Sequence, residues 1–201
     1  MEIRKFYSDE RETYRRQDHI WFLAECARNS LDLHKDYYEV LLGTAQWLVS
    51  RCDDEVLTLG IAGGQGSGKS TFSHLLLKAV EYISDKRGMM LCLDDFYLTH
   101  AERQRLSKSI HPLLATRGVP GTHDVEMMSS VINRIRHGES VQVPEFNKAE
   151  DDRSGFRRVQ GGEIDFVIFE GWCWGATATT ENDLIEPCLL YTSPSPRDGL
   201  L

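Results

Sequence analysis

Hydrophobic residues recur at spacings of three and four in several stretches of the chain, which is the pattern of a helix with one buried face. The stretches predicted as amphipathic helices are residues 19–33, 35–51, 71–83 and 125–137, and a shorter polar helix is predicted at residues 101–109. Asp124 precedes the last amphipathic helix and Gly138 follows it, as expected for an N-cap and a C-terminal stop. The hydrophobic stripes are interpreted as core-facing surfaces.

Short apolar runs lie between the helical stretches, at residues 56–62, 89–93 and 164–169. Short runs of this kind favour buried β-strands. Strands that alternate with helices pair in parallel, so we expect an α/β fold. Residues 145–162 are polar and show little periodicity, and no element is predicted there.

The composition limits the classes of function that the chain can have. Its 201 residues fit one domain, or a domain with a short appendage, and a hydrophobic share of 41% is enough for a buried core. A net charge of −8 argues against general nucleic-acid binding, which needs a cationic surface. There is no apolar run of membrane-spanning length, no secretory signal and no CxxC pair, so we expect a cytoplasmic protein with reduced thiols.

The segment GGQGSGKS at residues 63–70 matches the phosphate-binding loop GxxxxGK[ST], with a predicted strand before it and a predicted helix after it. The glycines allow backbone N–H groups to turn toward one phosphate, and the helix N-terminus adds its positive dipole. Lys69 is expected to reach the β- and γ-phosphates as a catalytic residue, and the Ser70 hydroxyl to hold Mg²⁺. With ATP and Mg²⁺ as the expected cofactors, the predicted nucleotide-binding residues are Gly63, Gly64, Gln65, Gly66, Ser67, Gly68, Lys69, Ser70 and Thr71.

Carboxylates follow the other two predicted strands. Asp94 and Asp95 come directly after residues 89–93, and Glu170 comes directly after residues 164–169. Because parallel strands present their carboxyl ends at one edge of a sheet, these acids and the phosphate-binding loop are expected to converge on one crevice. Phosphoryl transfer needs a metal clamp and a group that orients the acceptor hydroxyl, and acids at these positions suit both tasks.

Four further motifs follow the phosphate-binding loop, namely LDDFYLT at residues 93–99, RGVPGTHD at 117–124, PEFNKAEDDR at 144–153 and FEGWCWG at 169–175. Together they resemble the D-glycerate 3-kinase family, within the wider group of uridine kinase, phosphoribulokinase and pantothenate kinase. The resemblance extends over residues 56–187. It implies a P-loop NTPase-type parallel sheet flanked by helices, here preceded by an N-terminal helical extension.

The resemblance also implies roles for individual residues. Asp94 matches the catalytic carboxylate that accepts the proton of the attacking hydroxyl, and Glu170 resembles the acid that acts on Mg²⁺. The other residues implied on the acceptor side are Arg117, Asp124, Lys148 and Arg153. A cation there suits an acidic acceptor, because arginine pairs bidentately with a carboxylate. His123 is expected to position its loop, while Trp172 and Trp174 are open to two interpretations, as walls of the crevice or as core residues.

Three segments are expected along the chain: an N-terminal helical segment at residues 1–53, a P-loop kinase domain at residues 54–187, and a tail at residues 188–201. The tail contains the string CLLYTSPSPRD, which resembles a translated sequencing adaptor, and we expect it to be non-native. The resemblance implies further strands, a lid arginine and adenine contacts after Pro187. The sheet of this chain is therefore expected to be incomplete.

These observations favour an ATP-dependent kinase that acts on a small hydroxylated acceptor, with D-glycerate, converted to 3-phosphoglycerate, as the expected substrate. Two alternatives stay open: a kinase of another acceptor, such as a nucleoside or pantothenate, and a regulatory protein that binds ATP without transfer. The pair Asp94 and Glu170 argues against the second, because a protein that only binds ATP needs no acceptor-side base. The expected partner is the small-molecule substrate, with no nucleic acid and no membrane, and the oligomeric state stays open.

Overall fold

The computed structural model describes residues 16–29, 31, 33 and 35–175, and it confirms the predicted α/β architecture. No helix within these residues is long and apolar enough to cross a bilayer. The helices and strands, in chain order, are α1 (Arg16–Arg28), α2 (Lys35–Val49), β1 (Leu57–Ala62), α3 (Lys69–Ile83), β2 (Gly88–Cys92), α4 (His100–Ser109), α5 (Val125–Arg136), β3 (Val141–Asn147), β4 (Asp152–Val159) and β5 (Phe166–Gly171). Short 3₁₀ turns occupy Leu93–Phe96, Pro112–Ala115 and Gly161–Glu163.

The first helix is shorter than the sequence predicts. The prediction that it reaches residue 33 is wrong, because α1 ends at Arg28. The backbone N–H groups of Asn29 and Leu31 both donate to the carbonyl oxygen of Cys26, at 3.2 and 2.9 Å. These two hydrogen bonds satisfy the carbonyl oxygen of Cys26 in the last turn of the helix, and they turn the chain toward α2.

The strands β1, β5 and β2 form a parallel sheet in that order, with β5 in the centre. In register, Glu170 of β5 lies beside Ile61 of β1 and Cys92 of β2. The chain segments that follow the three strands therefore leave the sheet at one edge, where parallel sheets bind ligands. Within the described part of the chain β1 pairs with β5 alone, so β1 is an edge strand there.

The central strand β5 is buried along its whole length because apolar layers cover both of its faces. Phe166 and Ile168 pack with α1, α2 and α3, whereas Val167 and Phe169 pack with α5 and β3. Successive side chains of a strand point to opposite faces, so the next residue, Glu170, falls on the face that α3 covers. This alternation directs the Glu170 carboxylate toward the beginning of α3.

Residues 145–162, for which the sequence predicts no element, include most of an antiparallel hairpin formed by β3 and β4. In β4, Arg153 and Arg157 are partly buried, whereas Phe156 between them is 51% exposed. Both arginines donate to backbone carbonyls, Arg153 to that of Tyr97 at 3.1 Å and Arg157 to one in β2 at 3.0 Å. Because polar side chains with satisfied hydrogen bonds face inward at these two positions, the strand lacks the alternation of hydrophobic and polar residues from which it could be predicted.

The hairpin is held against the parallel sheet by Asp95, in the 3₁₀ turn after β2. Its carboxylate accepts a hydrogen bond from the backbone N–H of Phe146 at 3.3 Å. Burial raises the pKa of Asp95 above its usual range, although this hydrogen bond and the nearby Arg157 act in the opposite direction. Asp95 is therefore a structural link between β2 and β3, while its neighbour Asp94 is free to face the crevice.

Candidate functional site

The phosphate-binding loop connects β1 to α3 at the carboxyl edge of the sheet. The N–H of Gly63 donates to the carbonyl of Gly171 at 3.2 Å, which ties the start of the loop to the end of β5. Gly66 and Gly68 have φ values of 72° and 82°, in the left-handed region that glycine adopts without strain. Gly68 is also the N-cap of α3 and has no side chain to accept from the first turn. The N–H groups of that turn are thus oriented as an anion site requires.

Ser70 and Glu170 meet at the base of this loop. The Ser70 hydroxyl donates to Oε1 of Glu170 at 3.0 Å. Glu170 is only 4% exposed, and its second oxygen, Oε2, is buried with no hydrogen-bond partner among the described residues. A buried carboxylate oxygen is costly to leave unpaired, so the site calls for a positively charged or donating group.

The donor set fits Mg²⁺, which takes hard oxygen ligands such as a hydroxyl and a carboxylate. The described part of the chain has no cluster of three or more His, Cys, Asp or Glu side chains that could hold a metal, so the remaining ligands here would be water and phosphate oxygens. Burial, and then the neighbouring Glu170, raise the pKa of the Cys92 thiol to about 12. Without a metal ion, Cys92 therefore stays protonated near neutral pH, and it lies next to Glu170.

Asp94 lies in the first turn after β2, on the opposite side of β5 from the phosphate-binding loop. Its Oδ2 atom is 2.7 Å from Nζ of Lys148, which comes from the turn between β3 and β4. The Asp94 side chain is 31% exposed, so a solute can reach it. Burial, and then the charge and hydrogen bond of Asp94, raise the pKa of Tyr97 to about 12. The carboxylate is therefore held between an ammonium group and a phenol.

The loop that ends in Asp124 closes the acceptor side of the crevice. Asp124 caps α5, as predicted, by accepting from the N–H of Met127 at 3.0 Å, and it also lies 3.6 Å from the Arg153 guanidinium. The His123 ring stacks on Tyr97 at 4.2 Å between centroids. Burial lowers the pKa of His123, so the ring is neutral near pH 7. In the described structure His123 Nε2 and Arg153 Nε are buried without hydrogen-bond partners.

Arg117 contacts the turn between β3 and β4. Its guanidinium donates to the Lys148 carbonyl at 2.9 Å and to Oδ1 of Asp151 at 3.0 Å. It also lies 5.7 Å from the centre of the Phe146 ring. The described contacts of Arg117 are therefore with the backbone and a carboxylate of the protein itself, and its acceptor-side role stays a prediction.

The two tryptophans after β5 have different environments. The Trp174 ring packs against Phe169 at 4.1 Å between centroids and approaches Gly60 and Gly171. Trp172 is 41% exposed. Of the two interpretations that the sequence left open, core packing fits Trp174, while Trp172 borders solvent.

The structure thus brings the predicted residues to a common edge in two groups. The loop at residues 63–71 and Glu170 form one group, the candidate phosphate and metal side, and Asp94 with Lys148 forms the centre of the other, the candidate acceptor side. Asp124 and Arg153 lie next to that second group. Sequence reasoning missed Tyr97, although it lies inside the quoted motif LDDFYLT at residues 93–99. An aromatic residue three positions after a candidate base is the signal that could have found it.

No protein-family model matches the chain. It is 38% identical over 128 residues to "Uncharacterized kinase mug58" of Schizosaccharomyces pombe, covering 58% of this chain and 46% of the relative. It is 34% identical over 136 residues to "Probable ATP-dependent kinase TDA10" of Saccharomyces cerevisiae, covering 59% of this chain and 46% of the relative. The chain therefore spans about half the length of these curated relatives.

A solved structure gives the same picture of the fold. D-glycerate 3-kinase from Cryptococcus neoformans superposes with a TM-score of 0.62 at 31% sequence identity, over 72% of this chain and 56% of the other. By its motifs, its fold and these similarities, the chain resembles the P-loop kinase group that includes uridine kinase, pantothenate kinase and D-glycerate 3-kinase.

Proposed function

We propose that the protein is an ATP-dependent kinase that phosphorylates a small hydroxylated acid, with D-glycerate converted to 3-phosphoglycerate. The observation that carries this proposal is the pairing of Asp94 with Lys148 at the same sheet edge as the pair of Ser70 and Glu170. A site that only binds a nucleotide needs just the pair of Ser70 and Glu170. The pair of Asp94 and Lys148 adds a solvent-accessible carboxylate where an acceptor hydroxyl would lie.

The phosphate side would bind the triphosphate through the loop N–H groups, Lys69 and the N-terminus of α3. Ser70 and Glu170 would hold Mg²⁺, Glu170 either directly or through water, in line with its unpaired buried oxygen. When bound, the ion neutralises charge on the phosphate oxygens. Lys69 adds a second positive charge next to the transferred group.

On the acceptor side, Asp94 would orient the attacking hydroxyl and accept its proton. The Lys148 ammonium group lies 2.7 Å from Oδ2 of Asp94 and forms an ion pair with this carboxylate. The same contact raises the pKa of Lys148, chiefly through the hydrogen bond to Asp94. The Lys148 side chain is thus held in its charged form beside the Asp94 carboxylate.

An acidic acceptor suits the charges next to Asp94. Arg153 is 12% exposed in its side chain and has one guanidinium nitrogen without a partner in the described structure, so it has donor capacity for a carboxylate oxygen. Asp124 and His123 border the same space and add one acceptor and one neutral ring. The similarity to D-glycerate 3-kinase from Cryptococcus neoformans supports D-glycerate as the particular acid.

The acceptor can be identified by ADP release in the whole protein, with Mg²⁺–ATP and a panel of acceptors. The proposal expects release that depends on D-glycerate and exceeds release with uridine, cytidine or pantothenate. Turnover that depends on one of those acceptors instead would support the first alternative, a kinase with another substrate. Tight ATP binding without release on any acceptor would support the second, a regulatory ATP-binding protein.

Three further expectations belong to the same proposal. Residues 54–187 would form the kinase domain, with residues 1–53 as an N-terminal helical segment and residues 188–201 as a non-native tail. Residues 176–201 lie outside the described residues. The small-molecule acceptor is the expected partner, and the cytoplasm, where ATP is abundant, is the expected location.

A further inference from the structure

Asp151 has an unusual backbone conformation at a turn that supports the acceptor side. It ends the segment at residues 148–151 that joins β3 to β4, which we call the hairpin turn. Its φ is 55°, the one positive value for a non-glycine residue among residues 16–29, 31, 33 and 35–175. Aspartate tolerates this left-handed conformation better than most residues, yet such positions persist only where the surroundings hold them.

The Asp151 carboxylate is surrounded by three groups that can be cationic. Oδ2 lies 3.0 Å from Arg103 and 3.3 Å from His100 of α4, and Oδ1 lies 3.0 Å from Arg117. Partial burial opposes ionisation of Asp151, but the hydrogen bonds from Arg103 and His100 keep its pKa below the usual range. The carboxylate is thus a charged junction between the hairpin turn, α4 and the loop at Arg117.

Arg103 makes this junction rigid because its side chain is fully buried. Its guanidinium donates to the carbonyl oxygens of Leu98, Ala115 and Asp151, at 3.2, 3.2 and 2.6 Å. A buried guanidinium with its donors satisfied in this way cannot move without leaving several groups unpaired. The end of the hairpin turn is therefore fixed to a rigid part of the molecule at both the backbone and the side chain of Asp151.

Arg117 extends the same junction to Lys148. One nitrogen of its guanidinium contacts both the Asp151 carboxylate and the Lys148 carbonyl oxygen. The Lys148 side chain is 62% exposed, so packing against its own surroundings does little to hold it. The position of its backbone decides whether its ammonium group reaches Asp94.

We propose that Asp151 is a positioning residue that fixes the hairpin turn so that Lys148 meets Asp94. Its kinetic consequence rests on the proposed function, because only a reaction at Asp94 makes the position of Lys148 matter for rate. The claim that Asp151 holds Lys148 next to Asp94 does not depend on that function. The two parts are therefore tested separately.

The geometric test measures how fast an amine-acylating reagent modifies Lys148, followed by peptide mass spectrometry of the whole protein. An ammonium group in an ion pair is less available as a free amine, so Asp94→Asn is expected to speed the modification and serves as the positive control. Asp151→Asn keeps the shape of the residue and tolerates the left-handed backbone, but removes the charge, and it is expected to approach the Asp94→Asn rate. Glu150→Gln removes a charge from the same turn and is expected to leave the rate unchanged. An unchanged rate in Asp151→Asn overturns the proposal.

The kinetic test is a double-mutant cycle in the whole protein. Because small misplacements of catalytic groups are costly, Asp151→Asn is expected to lower kcat for the acceptor by about ten- to a hundredfold, with the KM for ATP unchanged. In a Lys148→Met background the same change is expected to cost nothing further, since Asp151 acts through Lys148. If the losses in kcat of the two single variants add in the double variant, or if the KM for ATP rises by as much as kcat falls, Asp151 has a general structural role and the positioning role is overturned. Absence of acceptor-dependent ADP release in the unaltered protein would instead contradict the proposed function, and the modification rates would still decide the geometric part.

Discussion

The hydroxyl of Ser70 lies 3.0 Å from Oε1 of Glu170, although the two residues are 100 positions apart in the chain. Two features of the fold produce this contact. The parallel pairing of β1 with β5 brings the ends of these strands together, and the side-chain alternation along β5 turns Glu170 toward α3. The pair leaves one buried carboxylate oxygen without a partner among the described residues, and the first prediction tests that oxygen.

Glu170→Gln should weaken nucleotide binding in a way that depends on Mg²⁺. Glutamine keeps the size of the side chain and an acceptor for Ser70, but it removes the negative charge. The Mg²⁺ concentration at half-maximal nucleotide binding is expected to rise about 10–100-fold, as for other groups that tune a metal site. Titrating Mg²⁺ at fixed nucleotide in a fluorescence binding assay measures this. Glu163→Gln, an exposed acid at the opposite edge of the sheet that pairs with Arg87, should leave the Mg²⁺ requirement unchanged.

Asp94→Asn should keep ATP binding and lose turnover. The change removes the proton acceptor and leaves the phosphate-binding loop intact, so kcat is expected to fall about 10²–10⁴-fold. Steady-state ADP release with D-glycerate, together with the dissociation constant of a non-hydrolysable ATP analogue, separates the two effects. Lys69→Ala should damage both quantities.

The matched control for this substitution is Asp54→Asn, an exposed acid before β1 and away from the carboxyl edge of the sheet. It should change neither turnover nor ATP binding. If Asp94→Asn retained the unaltered kcat on D-glycerate, the assignment of Asp94 as the base would have to be abandoned.

The parallel sheet and the phosphate-binding loop could be predicted from the sequence because each has a strong local signal. Short apolar runs indicated β1, β2 and β5 to within two residues at each end. The loop motif fixes both its own conformation and the type of its flanking elements. The two ends of β5 are the least accurate, each by two residues. Ile164 continues the apolar run although pairing with β1 begins at Phe166, and the strand continues past Phe169 to Gly171.

The hairpin and the junction around Asp151 could not be predicted, for a physical reason. In β4 two of the inward positions are arginines that donate to backbone carbonyls, so the hydrophobic pattern does not indicate which face of the strand is buried. The junction depends on contacts between residues far apart in the chain, such as Arg103 with Asp151. The sequence indicated that Arg117 and Lys148 belong to the acceptor side, but only the fold reveals that Arg117 contacts the backbone of Lys148.

Gly88→Ala should destabilise the fold without touching the site. A Cβ at this position would lie 2.1 Å from Cζ of Phe166 and 2.7 Å from Cδ1 of Leu77, and the Phe166 ring is fully buried. Overpacking of this kind is expected to lower the free energy of unfolding by about 1–3 kcal/mol. Chemical denaturation followed by circular dichroism measures the change.

Gly155→Ala is the matched control for that prediction, because it also lies in a strand but has no heavy atom within 4 Å of a built Cβ. It should be neutral or slightly stabilising. Equal effects of the two substitutions would mean that the contact with Phe166 does not determine the result.

The last prediction concerns pH and the amino edge of the sheet, away from the site. Asp165, just before β5, accepts hydrogen bonds from the N–H of Arg87 at 2.7 Å and from the Lys86 ammonium group at 2.9 Å. Partial burial opposes its ionisation, but these two contacts prevail and hold the pKa of Asp165 below its usual range. A carboxyl group whose pKa is depressed in the folded state stabilises the protein above its unfolded pKa, and this contribution is lost as the pH falls through the folded pKa.

Asp165→Asn should therefore lower the free energy of unfolding at pH 7 by about 1 kcal/mol, the size expected for a partly exposed ion pair with a hydrogen bond to the backbone. The difference between the variant and the unaltered protein should shrink as the pH falls below about 4, the usual pKa of an unfolded aspartate. Urea unfolding at a series of pH values measures both quantities. Asp85→Asn, an exposed acid near the same edge, should give a much smaller difference at pH 7. A difference for Asp165→Asn that stays constant down to pH 2 would show that shape, and not the charge of Asp165, accounts for its contribution.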